Sequence, residues 1–157
     1  MKTTQLKENI RDPKIYSNRG TSATIYKFSK NRLIKVLYHE KYSNEDLEYE
    51  FQIGKLVHES GIASPEVFGI EEILIGEELK AGIVMELIYG KTGLEIKYGR
   101  RFFHVLSLVK REAKKARSLG FTPIDYSWDG NYILTPERKI KLIDFFHWNH
   151  PDITRPN

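Results

Sequence analysis

The sequence predicts an α+β fold in two parts: a β-rich N-terminal lobe with one helix, followed by a smaller lobe that is mainly helical. Short apolar runs alternate with polar turns through the first half, and a helix with a clear N-terminal cap interrupts them. A long amphipathic helix then opens the second half. At 157 residues the chain has the length of a single domain with its own core. We assign residues 1–88 to the first lobe and residues 89–157 to the second.

The strands of the first lobe are predicted from runs that are rich in β-branched and aromatic residues and end at turn-forming residues. They are expected at residues 24–28, 33–37, 66–70 and 82–87. Residues 29–31 form a short polar connection, so the first two strands are expected to pair as a hairpin.

Two helices are predicted from the spacing of apolar residues. The first begins after Ser43, where Asp46 makes a pattern close to a capping box, and it runs over residues 44–58. Residues 89–93 contain two glycines and are expected to form a hinge. The second helix covers residues 101–119 and stops at Gly120. Its predicted buried stripe comprises Phe102, Val105, Leu106, Val109, Ala113 and Ala116.

Two charges lie at positions where these patterns predict apolar side chains. Lys35 is in the middle of the strand at residues 33–37, whose alternating side chains are apolar on both faces. Glu50 lies on the inward stripe of the first helix, which otherwise comprises Leu47, Phe51, Gly54 and Val57. Because an unpaired buried charge is costly, we expect the side chains of Lys35 and Glu50 to pair.

Residues 132–134 and 140–143 are predicted to form an antiparallel hairpin across the turn at residues 135–139. Such a hairpin brings the residue before its first strand close to the residue after its second, here Asn131 and Asp144. An amide oxygen and a carboxylate side by side suit Mg²⁺. For each residue alone, ending a strand or serving a turn is the commoner use and the better explanation, so the hypothesis depends on the pair.

Composition excludes several kinds of site. The chain has no cysteine, and its five histidines show no metal-ligand spacing. No apolar run reaches the length of a signal peptide core or a membrane span, which predicts a cytoplasmic protein without a membrane partner. Residues 110–117 carry much of the formal net charge of +4. This basic stretch fits a solvated helix face better than an RNA-binding site, because no aromatic stacking platform accompanies it.

The order of these features resembles the protein-kinase family over residues 15–146. The segment Asn18-x-Gly20-x-x-Ala23-x-Ile25 is similar to the glycine-rich loop G-x-G-x-x-G-x-V, with Asn and Ala in place of the outer glycines. The resemblance implies that these four residues cover a bound nucleotide. It also implies the fold predicted above, with a truncated second lobe.

The strand and hairpin motifs extend the resemblance. Residues 33–35, Leu-Ile-Lys, resemble V-A-I-K, which implies that Lys35 binds the α- and β-phosphates of ATP and that Glu50 orients it. Asn131 and the Asp144-Phe145-Phe146 segment match the magnesium-binding asparagine and D-F-G, which implies that Asn131 and Asp144 bind Mg²⁺. Met85 matches the gatekeeper, and residues 86–88, from Glu86 to Ile88, would offer backbone hydrogen bonds to adenine.

The catalytic motif H-R-D-x-x-x-x-N departs from the family. Residues 123–131 lack the His and Arg and hold one residue too many between Asp125 and Asn131. Asp125 is the best candidate for the catalytic base, and Asp129 is the second. Only 13 residues follow Asp144, so no activation loop, A-P-E motif or substrate platform follows in this sequence. The missing arginine is the usual reader of activation-loop phosphate, so any activity should not need that switch.

The resemblance implies an ATP- and Mg²⁺-dependent minimal kinase that phosphorylates a serine or threonine hydroxyl, in a protein or in itself. Similar minimal bacterial kinases include secreted effectors, so a protein substrate or an activating protein partner is expected. The alternative is a pseudokinase that acts as a protein-binding module. A small-molecule kinase and a basic RNA-binding domain are weaker alternatives, because the second lobe is small and nucleic-acid motifs are absent.

Overall fold

Two sheets and three helices organise the chain in a computed structural model that describes residues 10–17, 22–96, 101–127 and 130–157. The first sheet has six strands in the order β1-β5-β6-β4-β3-β2, and the second has three in the order β7-β8-β9. The elements are β1 (Ile10–Arg11), β2 (Ile15–Ser17), β3 (Ala23–Ser29), β4 (Arg32–Leu37), α1 (Asn44–Glu59), β5 (Val67–Ile75), β6 (Glu78–Glu86), β7 (Lys91–Thr92), α2 (Gly93–Ile96), α3 (Phe102–Ser118), β8 (Tyr132–Leu134) and β9 (Ile140–Leu142).

The six-stranded sheet must be strongly curled. Its two edge strands, β1 and β2, belong to one short segment, and only four residue steps separate Arg11 from Ile15. This segment can span at most about 14 Å, whereas five strand spacings of a flat sheet would measure about 24 Å. The curl accounts for the cluster Ile34, Val36, Ile73 and Val84, which is buried on the face of β4 opposite Lys35 without a contribution from any described helix.

The strands predicted at residues 66–70 and 82–87 were too short, and their pairing as a hairpin was not predicted. Strands β5 and β6 pair antiparallel along their full lengths and meet at the tight turn of Gly76 and Glu77, where Gly76 has φ 60°. The acidic residues Glu71 and Glu72 conceal the strand in the sequence, because they interrupt its apolar pattern. The pairing of β3 with β4 was predicted correctly.

Helix α1 is buried on two faces. Ser43 and Asp46 form the expected capping box, and the stripe with Leu47 packs against the first sheet. Phe51 is only half-buried, whereas Tyr49 and Ile53 are buried against the second part of the chain. A single inward stripe was therefore an incomplete prediction, because this helix packs between two partners.

The second part contains the long helix α3 and a small sheet that the sequence predicted only in part. Val105 and Val109 are fully buried with Ala113 and Ala116, while Phe102 and Leu106 are half-buried. The stretch predicted as a hinge, residues 89–93, contains β7, which pairs with β8, and the first residue of α2. Among the described residues, none of the helices is both long and apolar enough to traverse a bilayer.

Candidate functional site

Lys35 and Glu50 meet as their sequence positions predicted. Lys35 lies on β4, flanked across the ladder by Ile25 of β3 and Ile83 of β6. Its ammonium donates a hydrogen bond to a carboxylate oxygen of Glu50 on α1, and both residues are only 6% exposed. The same ammonium lies 3.4 Å from Oδ1 of Asp144. One lysine therefore holds two carboxylates that are far apart in the sequence.

The pKa values of Glu50 and Asp144 shift in opposite directions, although both carboxylates contact Lys35. Burial opposes the charge of Lys35, but Glu50 and Asp144 outweigh it and raise the pKa of Lys35 above its usual range. Lys35 lowers the pKa of Asp144, whose side chain is 35% exposed. Burial raises the pKa of Glu50 despite Lys35, and the charge of Asp144 adds to the rise. The directions differ because burial is the largest influence on Glu50, whereas the ammonium of Lys35 is the largest influence on the more exposed Asp144.

A small cavity adjoins the ion pair. It is bounded by Glu50, Asp144, Met85 and Phe145 and has a volume of about 20 Å³, which is room for roughly one water molecule. Oε2 of Glu50 accepts no hydrogen bond from the described residues. The carboxylate of Glu50 therefore has one oxygen without a hydrogen bond from the described residues, and this residue borders the cavity.

The hairpin of β8 and β9 brings Asn131 and Asp144 to one end. The main-chain oxygen of Asn131 accepts a hydrogen bond of 2.9 Å from the N–H of Ile143, directly before Asp144. Asp144 has φ 65°, in the left-handed region that Asp tolerates better than most residues. The side-chain amide of Asn131 donates to the main-chain oxygen of Asp125 at 2.9 Å. In the described part of the chain, no cluster of three or more His, Cys, Asp or Glu side chains has the geometry of a metal site.

Asp125 lies on an exposed loop that is held through its neighbours. The Asn131 bond fixes its main chain, and Asp125 itself has φ 58°. The indole N–H of Trp148 donates to the main-chain oxygen of Ile124 at 3.1 Å, and Arg117 donates to the hydroxyl of Tyr126 at 3.1 Å. These contacts hold the residues on either side of Asp125. Asp129, the second candidate base, lies outside the described residues.

The other predicted nucleotide contacts are only partly described. Asn18 and Gly20 lie outside the described residues, while Ala23 and Ile25 lie on β3, with Ile25 directly opposite Lys35. Met85 borders the cavity.

The predicted adenine-binding stretch follows Met85. The N–H and the carboxylate of Glu86 are both occupied by the main chain of Glu66, and the N–H of Leu87 donates to Asn31 at 3.0 Å. The main chain of Ile88 makes no hydrogen bond with the described residues.

Three residues at this site were not predicted. Trp148 is 1% exposed and packs on Phe145, and Phe146 packs edge-on against Tyr49 of α1. Arg155 donates to the main-chain oxygens of Phe146 and Trp148. The density of aromatic residues at 145–148 was a signal of packing for the first two. An arginine in a polar segment gives no such signal.

No family model and no curated protein matches this chain. Among solved structures it is similar to two of WbdD, one described as a high-resolution crystal structure and the other as a co-crystal structure with the kinase inhibitor LY294002. The TM-scores are 0.58 and 0.57 and the identities 17% and 18%, over 85% of this chain. The matches cover 32% of the WbdD chains, so this chain corresponds to about a third of their length. At this identity the likeness concerns the fold alone, and it supports a kinase-like fold.

Proposed function

We propose that this chain binds ATP and Mg²⁺ and transfers the γ-phosphoryl group to a serine or threonine hydroxyl, in a protein substrate or in itself. The observation that carries the proposal is the position of Lys35, held by Glu50 from α1 and by Asp144 from the end of the β8–β9 hairpin. Two carboxylates on one lysine leave a net negative site that suits a cation next to a phosphate-binding ammonium.

Each group has a separate part in the proposed binding of the nucleotide. Lys35 would bind the α- and β-phosphates, and Glu50 would keep its ammonium in place. Asn131 and Asp144 would hold Mg²⁺, which when bound neutralises charge on the phosphates. The low pKa of Asp144, caused first by Lys35, keeps this carboxylate ionised and ready for a cation. The amide N–H of Asn131 is turned to Asp125, so its oxygen is the atom left for the metal.

The remaining predicted residues would contact the adenine, cover the phosphates and accept the proton of the substrate hydroxyl. The main chain of residues 86–88 would contact adenine through Glu86 and Ile88, with Met85 beside it, and residues 18–25 would cover the phosphates through Asn18, Gly20, Ala23 and Ile25. Asp125 would accept the hydroxyl proton. Its exposed loop is open to an acceptor side chain.

A pseudokinase that binds a protein partner is the second candidate. The observation that favours it is the loop of Asp125, which lacks the family's His and Arg and is held instead by Trp148, Arg117 and Asn131. Such a loop could hold the lobes together without placing a base correctly. Nucleotide binding is compatible with either candidate, so phosphoryl transfer is the quantity that separates them.

The test compares the wild type with Asp144→Asn, which removes one charge at nearly constant shape. Asp152→Asn is the matched control, because Asp152 is an exposed aspartate. Thermal unfolding is measured with ATP, with and without Mg²⁺, and labelled γ-phosphate incorporation into the chain and a generic protein substrate is measured in the same samples. A kinase should give Mg²⁺-dependent stabilisation and incorporation in the wild type and the control, both lost in Asp144→Asn. Stabilisation without incorporation would favour the pseudokinase, and no stabilisation by ATP would refute the nucleotide site.

A further inference from the structure

Phe146 occupies the position of the glycine in the resembling D-F-G motif, and its ring is packed between aromatic neighbours. The ring meets Tyr42 edge-on at a centroid distance of 5.1 Å and Tyr49 at 6.3 Å. Tyr49 directly precedes Glu50 on α1, and its hydroxyl donates to the main-chain oxygen of Trp148. The segment after Asp144 is therefore attached to the helix that carries Glu50.

Arg155 joins the same two elements. Its guanidinium donates to the main-chain oxygen of Phe146 at 2.7 Å and to the side-chain oxygen of Asn149 at 3.1 Å. It also lies 4.6 Å from the ring centre of Tyr49 and 5.3 Å from that of Phe146. We name Tyr42, Tyr49, Phe146 and Arg155 together the arginine latch.

The latch addresses an electrostatic difficulty of the site. Glu50 and Asp144 both contact Lys35, so two carboxylates lie beside one ammonium, and repulsion between them would favour separation of α1 from the Asp144 segment. The contacts of the latch lie one residue from Glu50 and two residues from Asp144, and they hold the elements together through main-chain acceptors and rings. A planar guanidinium can make these contacts simultaneously, whereas a lysine ammonium cannot.

We propose that Arg155 is a positioning residue that fastens α1 to the segment after Asp144 and so keeps Glu50 and Asp144 together at Lys35. The geometry of the latch is independent of the proposed function, and only its consequence for phosphoryl transfer rests on that function.

The test measures the protection of Lys35 by chemical labelling, which requires neither nucleotide nor activity. The full chain is treated with an amine-reactive N-hydroxysuccinimide ester, and the rate at Lys35 is followed by peptide mass spectrometry. Lys55, whose side chain is 53% exposed, serves as the internal reference. We expect Arg155→Gln to raise the rate at Lys35 relative to Lys55 by about 10-fold or more, because α1 then separates locally from the Asp144 segment. Arg155→Lys should give an intermediate rate, since lysine keeps the charge but lacks the planar guanidinium.

Val109→Ala is the matched control for general destabilisation. Val109 is fully buried on α3 and has no part in the latch, so this variant should lower the melting temperature without selective exposure of Lys35. Unchanged protection of Lys35 in Arg155→Gln would overturn the proposal, as would an equal rise in a Val109→Ala variant of similar melting temperature. A selective rise in Arg155→Gln supports it, even if the chain proves to be a pseudokinase.

Phosphoryl transfer gives a second readout if the proposed function holds. A positioning residue should lower kcat more than it raises KM for ATP, with partial recovery in Arg155→Lys. Equal kcat and KM in Arg155→Gln and the wild type would refute the catalytic consequence of the latch while leaving the kinase proposal intact.

Discussion

The two sides of the site are built in different ways. On one side, Lys35 and Glu50 are buried on a central strand and a capped helix, and each is held by a charged partner. On the other side, Asp125 is on an exposed loop. Trp148 donates a hydrogen bond to the main chain of Ile124, and Asn131 donates one to the main chain of Asp125. Asp144 is connected to both sides, because it contacts Lys35 and directly follows Ile143, whose N–H donates to Asn131.

Under the proposed function, this difference would separate nucleotide binding from phosphoryl transfer. The buried side has strong electrostatic constraints, because removing any partner leaves a charge without compensation. The loop side depends on a few hydrogen bonds, each of which contributes roughly 1–2 kcal/mol. Substitutions on the first side should therefore affect folding and nucleotide binding together, whereas substitutions on the second should affect phosphoryl transfer alone.

The largest effect is expected for Lys35→Met, which breaks the buried side. Methionine fills a similar volume but leaves Glu50 and Asp144 facing each other, so we expect the free energy of unfolding to fall by about 3–5 kcal/mol. Stabilisation by Mg²⁺ and ATP should be lost as well. Urea unfolding at pH 7, with and without nucleotide, measures both effects.

A double variant tests the physical reason for this loss. In Lys35→Met/Glu50→Gln the buried negative charge of Glu50 is also removed, so part of the lost stability should return. Nucleotide binding should not return. A double variant less stable than Lys35→Met would contradict the electrostatic explanation and indicate that packing of the lysine stem dominates.

Asp125→Asn tests the loop side and should leave the fold intact. The side chain of Asp125 is exposed, so the melting temperature and its rise with Mg²⁺ and ATP should stay close to those of the wild type. Phosphoryl transfer should fall by about 100-fold or more if Asp125 accepts the hydroxyl proton. Full activity in this variant would remove Asp125 from the mechanism, and loss of ATP-dependent stabilisation would show that the two sides are not separable.

The contrast between the buried side and the loop side also explains which features could be predicted from the sequence. Two charges in apolar patterns predicted the Lys35–Glu50 pair, since burial makes such charges costly and their positions therefore informative. The hairpin geometry predicted that Asn131 and Asp144 share an end, because the register of an antiparallel pair determines which residues are opposite. The likeness to WbdD supports the kinase-like fold that these features indicated.

Other features of the structure correspond to no recognisable pattern in the amino-acid sequence. Strands β1 and β2 have two and three residues, too few for a period, and their pairing depends on the curl of the whole sheet. The burial of Tyr49 depends on a second partner for α1 that is distant in the sequence. Arg155 acts through main-chain acceptors and ring faces, and these carry no identity that a sequence pattern could match.

Two glycines allow a comparison of side-chain packing in residues 89–93, which we call the linker, with packing on the buried side. A Cβ at Gly90 would lie 2.3 Å from the main-chain oxygen of Leu134, at the start of the connection to the second sheet. A Cβ at Gly54 on α1 would lie 3.6 Å from Val67, an ordinary contact beside the cavity. We expect Gly90→Ala to destabilise the chain by about 1–3 kcal/mol.

Gly54→Ala is the control for that variant, and it should be neutral or stabilise by up to about 1 kcal/mol through helix propensity. Thermal or urea unfolding of both variants measures the difference. Equal stability of Gly90→Ala and the wild type would mean that the linker moves away from β8 without cost. A strongly destabilised Gly54→Ala would indicate that the cavity beside Glu50 cannot accept a methyl group.

The smallest effect concerns the pH dependence of the buried carboxylate. Burial raises the pKa of Glu50 in the folded chain above its ordinary value of 4.5. The folded state therefore binds the Glu50 proton more tightly than the unfolded state does. This contribution to stability is complete below pH 4.5 and is lost as the pH rises through the folded-state pKa. Glu50→Gln has no such proton, so the stability of the wild type relative to Glu50→Gln should decrease as the pH rises above 4.5. Urea midpoints of both proteins across that range measure the difference. A wild-type advantage that grows with pH would mean that Lys35, rather than burial and Asp144, dominates the charge state of Glu50, and the contrast between the two carboxylates of the site would then disappear.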